Sequence, residues 1–362
     1  MIYIVTYGCK VNQYESLSVM SLLENEGRPA KMIAEKDIAN LRNDLHSLLP
    51  LTVADTKYPV YDGEPMFVVN SCAVTGMAEK KSRYGISKIK KYFPNAKIYS
   101  MGCAFTKKSP EEIVGEILGR KVGGGVIIHK REKAFIKVQD GCREFCSFCI
   151  IPYKRAELSS REIADVVCEI NAQPDYVKEI IISGINLCYF QTAQGETLGE
   201  LCLAVDKCGR SWYISSLEPS IITEDFVKKL KNCQNYKPNF HICLQSGCDK
   251  VLREMNRRYT TAEYLAKINL IRKYFKNAKI STDIIVGYPT ETDEDFNATV
   301  AFVKTVQFDK IHIFPYSPRK GTKSAEIKPI TNSLVTNRFN ILNSLNESKN
   351  AQSSNFIGKV GR

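Results

Sequence analysis

The chain has 362 residues, 44% of them apolar and 25% charged, with a net charge of +12 and thirteen cysteines. Such a length suggests two domains with ample core, and such a composition excludes a disordered chain; no apolar run approaches the length of a bilayer span. The basic excess favours a polyanionic partner over a bare lysine-rich surface.

The first stretch, "MIYIVTYGCKVNQYES", lacks the basic n-region and small-residue cleavage site of an export signal. An odd cysteine count with uneven spacing also argues against a disulfide framework, so a cytoplasmic setting with metal or redox use of the thiols is expected. "IYIVTYG", "PMFVVNS" and "AKIYSMG" read as short buried strands, with helices predicted over 12–27 and 76–93, the latter strongly basic. That alternation predicts a small α/β sheet. "VGGG" at 122–125 breaks the pattern and marks a domain boundary.

Beyond it, strands are predicted at "AFIKVQ", "EIIISG", "WYISSL", "FHICLQ", "ISTDIIVG" and "KIHIFPY". Helical patterns separate them at 160–172, 196–207, 222–231, 261–275 and 291–305, and a last polar helix is expected over 331–350. Six β/α units in a row make a parallel sheet, either a partial barrel or a doubly wound one. In both, ligands gather at the carboxyl ends of the strands. Cys9, Cys72, Cys103 and Cys142 each follow a predicted strand.

"QDGCREFCSFCIIPYKR" packs Cys142, Cys146 and Cys149 into a C-x3-C-x2-C pattern, too tight for a regular helix and therefore a loop around a metal. Thiolates suit zinc or an iron–sulfur cluster. Zinc wants a fourth protein ligand; no histidine stands nearby, and Cys168 lies in a predicted helix. A 4Fe–4S cube held by three thiolates instead leaves one iron open for a substrate or cofactor. With Phe148 before the last cysteine, the pattern resembles the signature of the radical S-adenosylmethionine superfamily. The resemblance implies that S-adenosylmethionine occupies the open iron and is cleaved by one electron to a 5′-deoxyadenosyl radical.

"TYGCKVNQYES" (Cys9), "VVNSCAVT" (Cys72) and "SMGCAF" (Cys103) resemble the N-terminal domain of the methylthiotransferases. That resemblance implies a second 4Fe–4S cluster on Cys9, Cys72 and Cys103, which presents sulfur to the substrate carbon. "ISGINLCYF", "SSLEPS", "LQSGCDKVLREMNRRYT" and "STDIIVGYPTET" resemble the same family. They imply an S-adenosylmethionine pocket lined by Gly184, Asn186, Ser216, Glu218, Gln245 and Gly287, although the two glycines also suit plain turns.

The branches of the family act on tRNA bearing isopentenyladenosine, on tRNA bearing threonylcarbamoyladenosine, or on a ribosomal-protein aspartate. "CKVNQYES", rather than a "CQMN"-like stretch, resembles the threonylcarbamoyladenosine branch, with C2 of that nucleoside beside the anticodon as target. The basic helix and the cluster Arg253, Arg257 and Arg258 suit the phosphates of a tRNA anticodon loop. A catalytically silent iron–sulfur protein that binds RNA is the rival from another class. An electron donor and a sulfur source are implied without being identified, and no membrane is.

The resemblance implies residues 1–125 as the auxiliary-cluster domain, 126–350 as a radical S-adenosylmethionine partial (β/α)6 barrel, and 351–362 as a short tail. The family's C-terminal TRAM β-barrel would begin near "NFIGKVGR" and is expected to be absent. Two spacings depart from the family: Cys9 to Cys72 is long, through an unfamiliar stretch at 34–63, and Cys103 to Cys142 is short.

Overall fold

The computed structural model describes residues 1–41, 65–105 and 108–357. From position 42 onward, the unfamiliar stretch at 34–63 lies outside the described residues. Strands β1 (Ile2–Thr6), β2 (Ala30–Ile33), β3 (Met66–Ser71) and β4 (Ile98–Gly102) pair in the order β2-β1-β3-β4, all parallel. Ile2, Ile4, Val68 and Met101 pack on one face with Val19 and Leu23 of α1 (Lys10–Asn25) and Ile113 and Val114 of α3 (Pro110–Leu118). Tyr3, Val5, Phe67 and Val69 pack on the other with Ile89 of α2 (Gly76–Tyr92). Both faces are covered, which is why these strands read as continuous apolar runs.

The helix ends are written locally. Thr75 caps α2 by accepting from the Ala78 N–H at 3.1 Å. Ser109, Pro110 and Glu112 make a capping box at the start of α3, and Gly119 (φ +71°) ends it in the left-handed region. "VGGG" falls in the coil that runs from there to β5.

The second sheet system is a partial (β/α)6 barrel, the one of the two arrangements left open by the β/α count that the resemblance implies. Its strands are β5 (Lys133–Asp140), β7 (Glu179–Gly184), β8 (Ser211–Ile214), β9 (Asn239–His241), β10 (Lys279–Val286) and β11 (Lys310–Pro315). Ladders join β5-β7-β8 and β9-β10-β11, and the single parallel bridges Trp212–Tyr236 and Leu217–Ile242 carry the curve from β8 to β9. A two-residue β6 (Ser159–Ser160) adds antiparallel to β5. Helices α4 (Ile151–Lys154), α5 (Ile163–Asn171), α6 (Leu198–Asp206), α7 (Glu224–Lys231), α8 (Asp249–Glu254), α9 (Thr261–Tyr274) and α10 (Asp293–Val306) connect the strands.

Strand alternation decides what lines the barrel. Ile136, Ile180, Ile182, Trp212, Phe240, Ile242, Ile280 and Ile284 pack outward in one core beneath the helices. The alternate positions, among them Lys137, Ser183, Tyr213, His241, Asp283 and His312, face the lumen, which is therefore polar.

The last helix, α11 (Asn332–Ile357), runs beyond its expected end at 350. Asn346 closes the exposed edge of β11 by accepting from the Ile311 N–H at 3.0 Å and donating to the Ile311 carbonyl at 2.6 Å. β2 and β6 escaped the sequence reading because each is a short edge strand. "FHICLQ" forms a ladder only through His241, since residues 242–245 leave the ladder and bridge singly to Leu217 and Ile284.

Candidate active site

The three cysteines of the first sheet stand where three parallel strands end. Cys9 follows β1 and directly precedes α1, Cys72 follows β3, and Cys103 follows β4. Two glycines let these turns close on one another. Gly8 has φ +104°, and a Cβ there would lie 2.6 Å from the Cys72 Cβ and 2.7 Å from its Sγ. Gly102 has φ +88°, and a Cβ would collide with the Ser71 carbonyl and the Asn70 side chain. Beneath the thiols lies a buried polar lattice. Asn12 Nδ2 donates to Asn70 Oδ1 (2.7 Å) and the Ser71 carbonyl (3.0 Å), while Asn70 Nδ2 donates to the Asn12 carbonyl (2.8 Å) and Ser16 Oγ (3.1 Å).

The second triad sits in the coil between β5 and α4. The Cys149 N–H donates to the Cys146 carbonyl (2.9 Å) and the Cys142 N–H to the Arg155 carbonyl (3.1 Å), which folds the loop back on itself. Phe145 takes φ +48°, and Asn256 holds it there by donating to its carbonyl at 3.0 Å. Two polar groups reach the sulfurs: Arg257 Nη1 lies 3.2 Å from Cys146 Sγ and Asn186 Nδ2 lies 3.7 Å from Cys142 Sγ. Arg257 also pairs with Glu218.

The two triads face each other across a thin layer. Cys103 and Ala73 pack against Ile150 and Ile151, which follow Cys149 directly. Arg155 closes the layer, with Nε 3.0 Å from Cys103 Sγ and its guanidinium on both Glu15 oxygens (2.8 and 3.0 Å) and on Asp140 (2.6 Å). Lys137 meets the same carboxylates at 2.8 and 2.5 Å. Tyr14 extends the seam by donating to Glu169 Oε2 at 3.1 Å. Burial alone would raise the Glu15 pKa, but Lys137 and Arg155 overcome it and hold the carboxyl at about 2.

Cys72, Cys103, Cys146 and Cys149 are each made harder to ionise by a neighbouring thiol of their own triad, on top of a larger effect of burial. Burial raises Cys72 to about 11 and Cys149 to about 12. It also raises Cys103 and Cys146, against the opposing pull of Arg155 and Arg257 respectively. A single zinc ion would draw tetrahedral sulfurs to within about 3.8 Å of one another. Neither triad gathers so tightly. Among the described residues only His241, Cys243 and Asp283 bring three ligand atoms within 4.8 Å, and there His241 Nε2 simply pairs with Asp283 at 3.1 Å. Wider sulfur spacing, all-thiol donors and adjacent guanidinium groups fit an anionic iron–sulfur cluster in each triad.

Of the expected S-adenosylmethionine residues, Asn186 and Glu218 come to the second triad through Cys142 and Arg257. Gly184 is shaped by its neighbours, since a Cβ would lie 2.7 Å from Leu187 Cδ2. Gly287 (φ +78°) faces Val335, and its N–H donates to Glu291 Oε2 at 2.9 Å; both glycines have packing reasons. Gln245 (φ +73°) bridges to β10 through its backbone. Ser216 is half-buried on the turn after β8.

One expectation is corrected. Arg257 is not free for phosphate: its side chain is 4% exposed and spent on Cys146 and Glu218, whereas Arg258 beside it is 72% exposed. Sequence reasoning also missed Arg155 and Lys137, whose shared partner Glu15 lies far along the chain. A cavity of about 750 Å³ between α1, α3 and β5 is lined by none of the six thiols, while another of about 390 Å³ opens on Cys103 and Arg155. Among the described residues no helix is long and apolar enough to cross a membrane.

The radical SAM superfamily model matches residues 136–303. The threonylcarbamoyladenosine tRNA methylthiotransferase MtaB of Thermotoga maritima is 31% identical, across 90% of this chain and 76% of that protein. The tRNA-2-methylthio-N(6)-dimethylallyladenosine synthase of Thermosipho melanesiensis is also 31% identical, across 89% of this chain and 76% of that protein. Among solved structures, the radical S-adenosylmethionine methyltransferase TsrM from Kitasatospora setae, with cobalamin and a 4Fe–4S cluster bound, superposes with a TM-score of 0.64. It covers 90% of this chain and 77% of that one at 14% identity, a likeness of fold alone.

Proposed function

The chain belongs to the radical S-adenosylmethionine methylthiotransferase family, and on that footing we propose that it methylthiolates tRNA at C2 of N6-threonylcarbamoyladenosine beside the anticodon. The observation that carries this reading is the apposition of two cysteine triads across Arg155. In this reading Cys142, Cys146 and Cys149 would hold a cluster that, with S-adenosylmethionine, would supply hydrogen-atom abstraction, and Cys9, Cys72 and Cys103 would hold one that would supply the sulfur.

The chain's own groups prepare that chemistry. Arg257 and Arg155 lay positive charge against Cys146 and Cys103, which offsets the cost of burying thiolates in both triads. Asn186 orients Cys142, and Glu218 balances the Arg257 charge. Cys146 is buried and Cys149 half-buried, which limits the access of water to the reacting groups. The exposed basic face of α2, with Lys80, Lys81 and Tyr84, supports contact with a phosphate backbone and an unpaired base. Loop nucleotides are already unstacked and enter a pocket at little cost.

The test is nucleoside mass spectrometry of tRNA from a host lacking its own methylthiotransferases and expressing this chain. The expected product is 2-methylthio-threonylcarbamoyladenosine. The isopentenyl counterpart would move the substrate within the family. No methylthio product, with both clusters loaded, would overturn the reading in favour of a silent RNA-binding protein.

A further inference from the structure

Among the described residues, the barrel lumen holds a cation that makes no ion pair. Lys10 follows Cys9 directly, and its ammonium lies over the Tyr213 ring of β8, 5.7 Å from the centroid. It is within electrostatic reach of Asp283 on β10 and His312 on β11. Among the described residues no carboxylate reaches ion-pair distance from it; Asp283 is engaged instead with His241 at 3.1 Å. A half-buried, unpaired ammonium beside a sulfur-bearing triad is a group awaiting an anion. Lys10 is also the residue that separates "CKVN" from a "CQMN"-like stretch.

We propose that Lys10 determines substrate choice by binding the carboxylate of the N6 substituent of the target nucleoside. The inference rests on the threonylcarbamoyl reading and deepens it. Of the two candidate substituents only that one carries an anion; an isopentenyl group would leave the Lys10 ammonium buried and unpaired. A site built around a polar partner rejects an analogue that lacks it far more strongly than an apolar slot rejects an extra methylene. Asp283, held by His241, adds to the discrimination by keeping the lumen polar on the opposite wall.

The experiment measures binding as well as turnover. Anticodon stem-loops carrying threonylcarbamoyladenosine as the free acid or as its methyl ester are titrated into the full chain at fixed salt by fluorescence anisotropy. Both are also assayed for methylthiolation at matched iron content. A charge-assisted hydrogen bond is worth ~1.5–3 kcal/mol, so the free acid should bind the wild-type chain about 10- to 150-fold more tightly than the ester. Lys10→Met should erase that ratio, and Lys10→Arg should keep part of it. Equal binding of acid and ester by the wild type overturns the proposal without any variant. A ratio that survives in Lys10→Met overturns it as well. Failure of the wild type to methylthiolate the acid, with both clusters loaded, overturns the parent reading and this proposal with it.

Discussion

Replacing Arg155 by methionine removes the group that ties the two triads together. The side chain is 13% exposed and bonds Glu15 through two nitrogens, Asp140 through one and Cys103 Sγ through its Nε. Its loss leaves Glu15, 6% exposed, with Lys137 as its remaining cation. Breaking a buried pair costs up to ~3–5 kcal/mol, because a desolvated carboxylate loses its bidentate partner. Arg155→Lys should recover little, since one ammonium cannot span two carboxylates and a sulfur. The assay is urea unfolding of the reconstituted chain, with amide exchange followed on α1 and β5. Glu15→Gln and the double variant complete a cycle whose coupling should reach ~0.5–3 kcal/mol, so the double variant should lose less than the sum of the singles. An Arg155→Met chain within ~1 kcal/mol of wild type, with unchanged exchange across α1 and β5, would refute the reasoning.

Three further outcomes are expected. Alanine at Cys142, Cys146 and Cys149 together should abolish cleavage of S-adenosylmethionine, whereas alanine at Cys9, Cys72 and Cys103 should leave cleavage measurable and end methylthiolation; product analysis by mass spectrometry separates the two. Gly8→Ala should lower iron at the first triad and spare the second, because the added Cβ meets Cys72 at 2.6 Å on a φ of +104°; iron content read in both triad backgrounds tests this. The Glu15 carboxyl is held near 2, below its ordinary value of 4.5, so its contribution is complete above about pH 4.5 and fades as pH falls towards 2. The stability gap between wild type and Glu15→Gln should close over that window, and a gap that widens on acidification would contradict the assignment.

Much of the site was legible in sequence because its signals are local. Strand periodicity placed Cys9, Cys72, Cys103 and Cys142 at strand ends, and parallel β/α order placed those ends together. "CKVNQYES" carried more than it declared. On one helix it supplies Asn12 and Ser16 to the polar lattice, Lys10 to the lumen, and Tyr14 and Glu15 to the barrel seam. None of those destinations is written in the spacing. Arg155 could not be distinguished from a surface arginine, because its partners Glu15 and Cys103 come from another sheet. Arg257 was misread for the same reason: beside Arg258 it looks like half of a basic patch, and only the fold turns one inward and the other out.

Helix α1 also explains why the short passage from Cys103 to Cys142 does no harm. The coil over residues 119–132 is a tether, whereas α1 is the joint: its first turn starts at Cys9 of the triad and its second is bolted to β5 and α5 through Glu15 and Tyr14. A tether adds only loop-closure entropy, which changes slowly with length. Residues can thus be lost from the tether, or gained in it, while the gap between the two sulfur sets stays fixed by a rigid rod of hydrogen-bonded backbone.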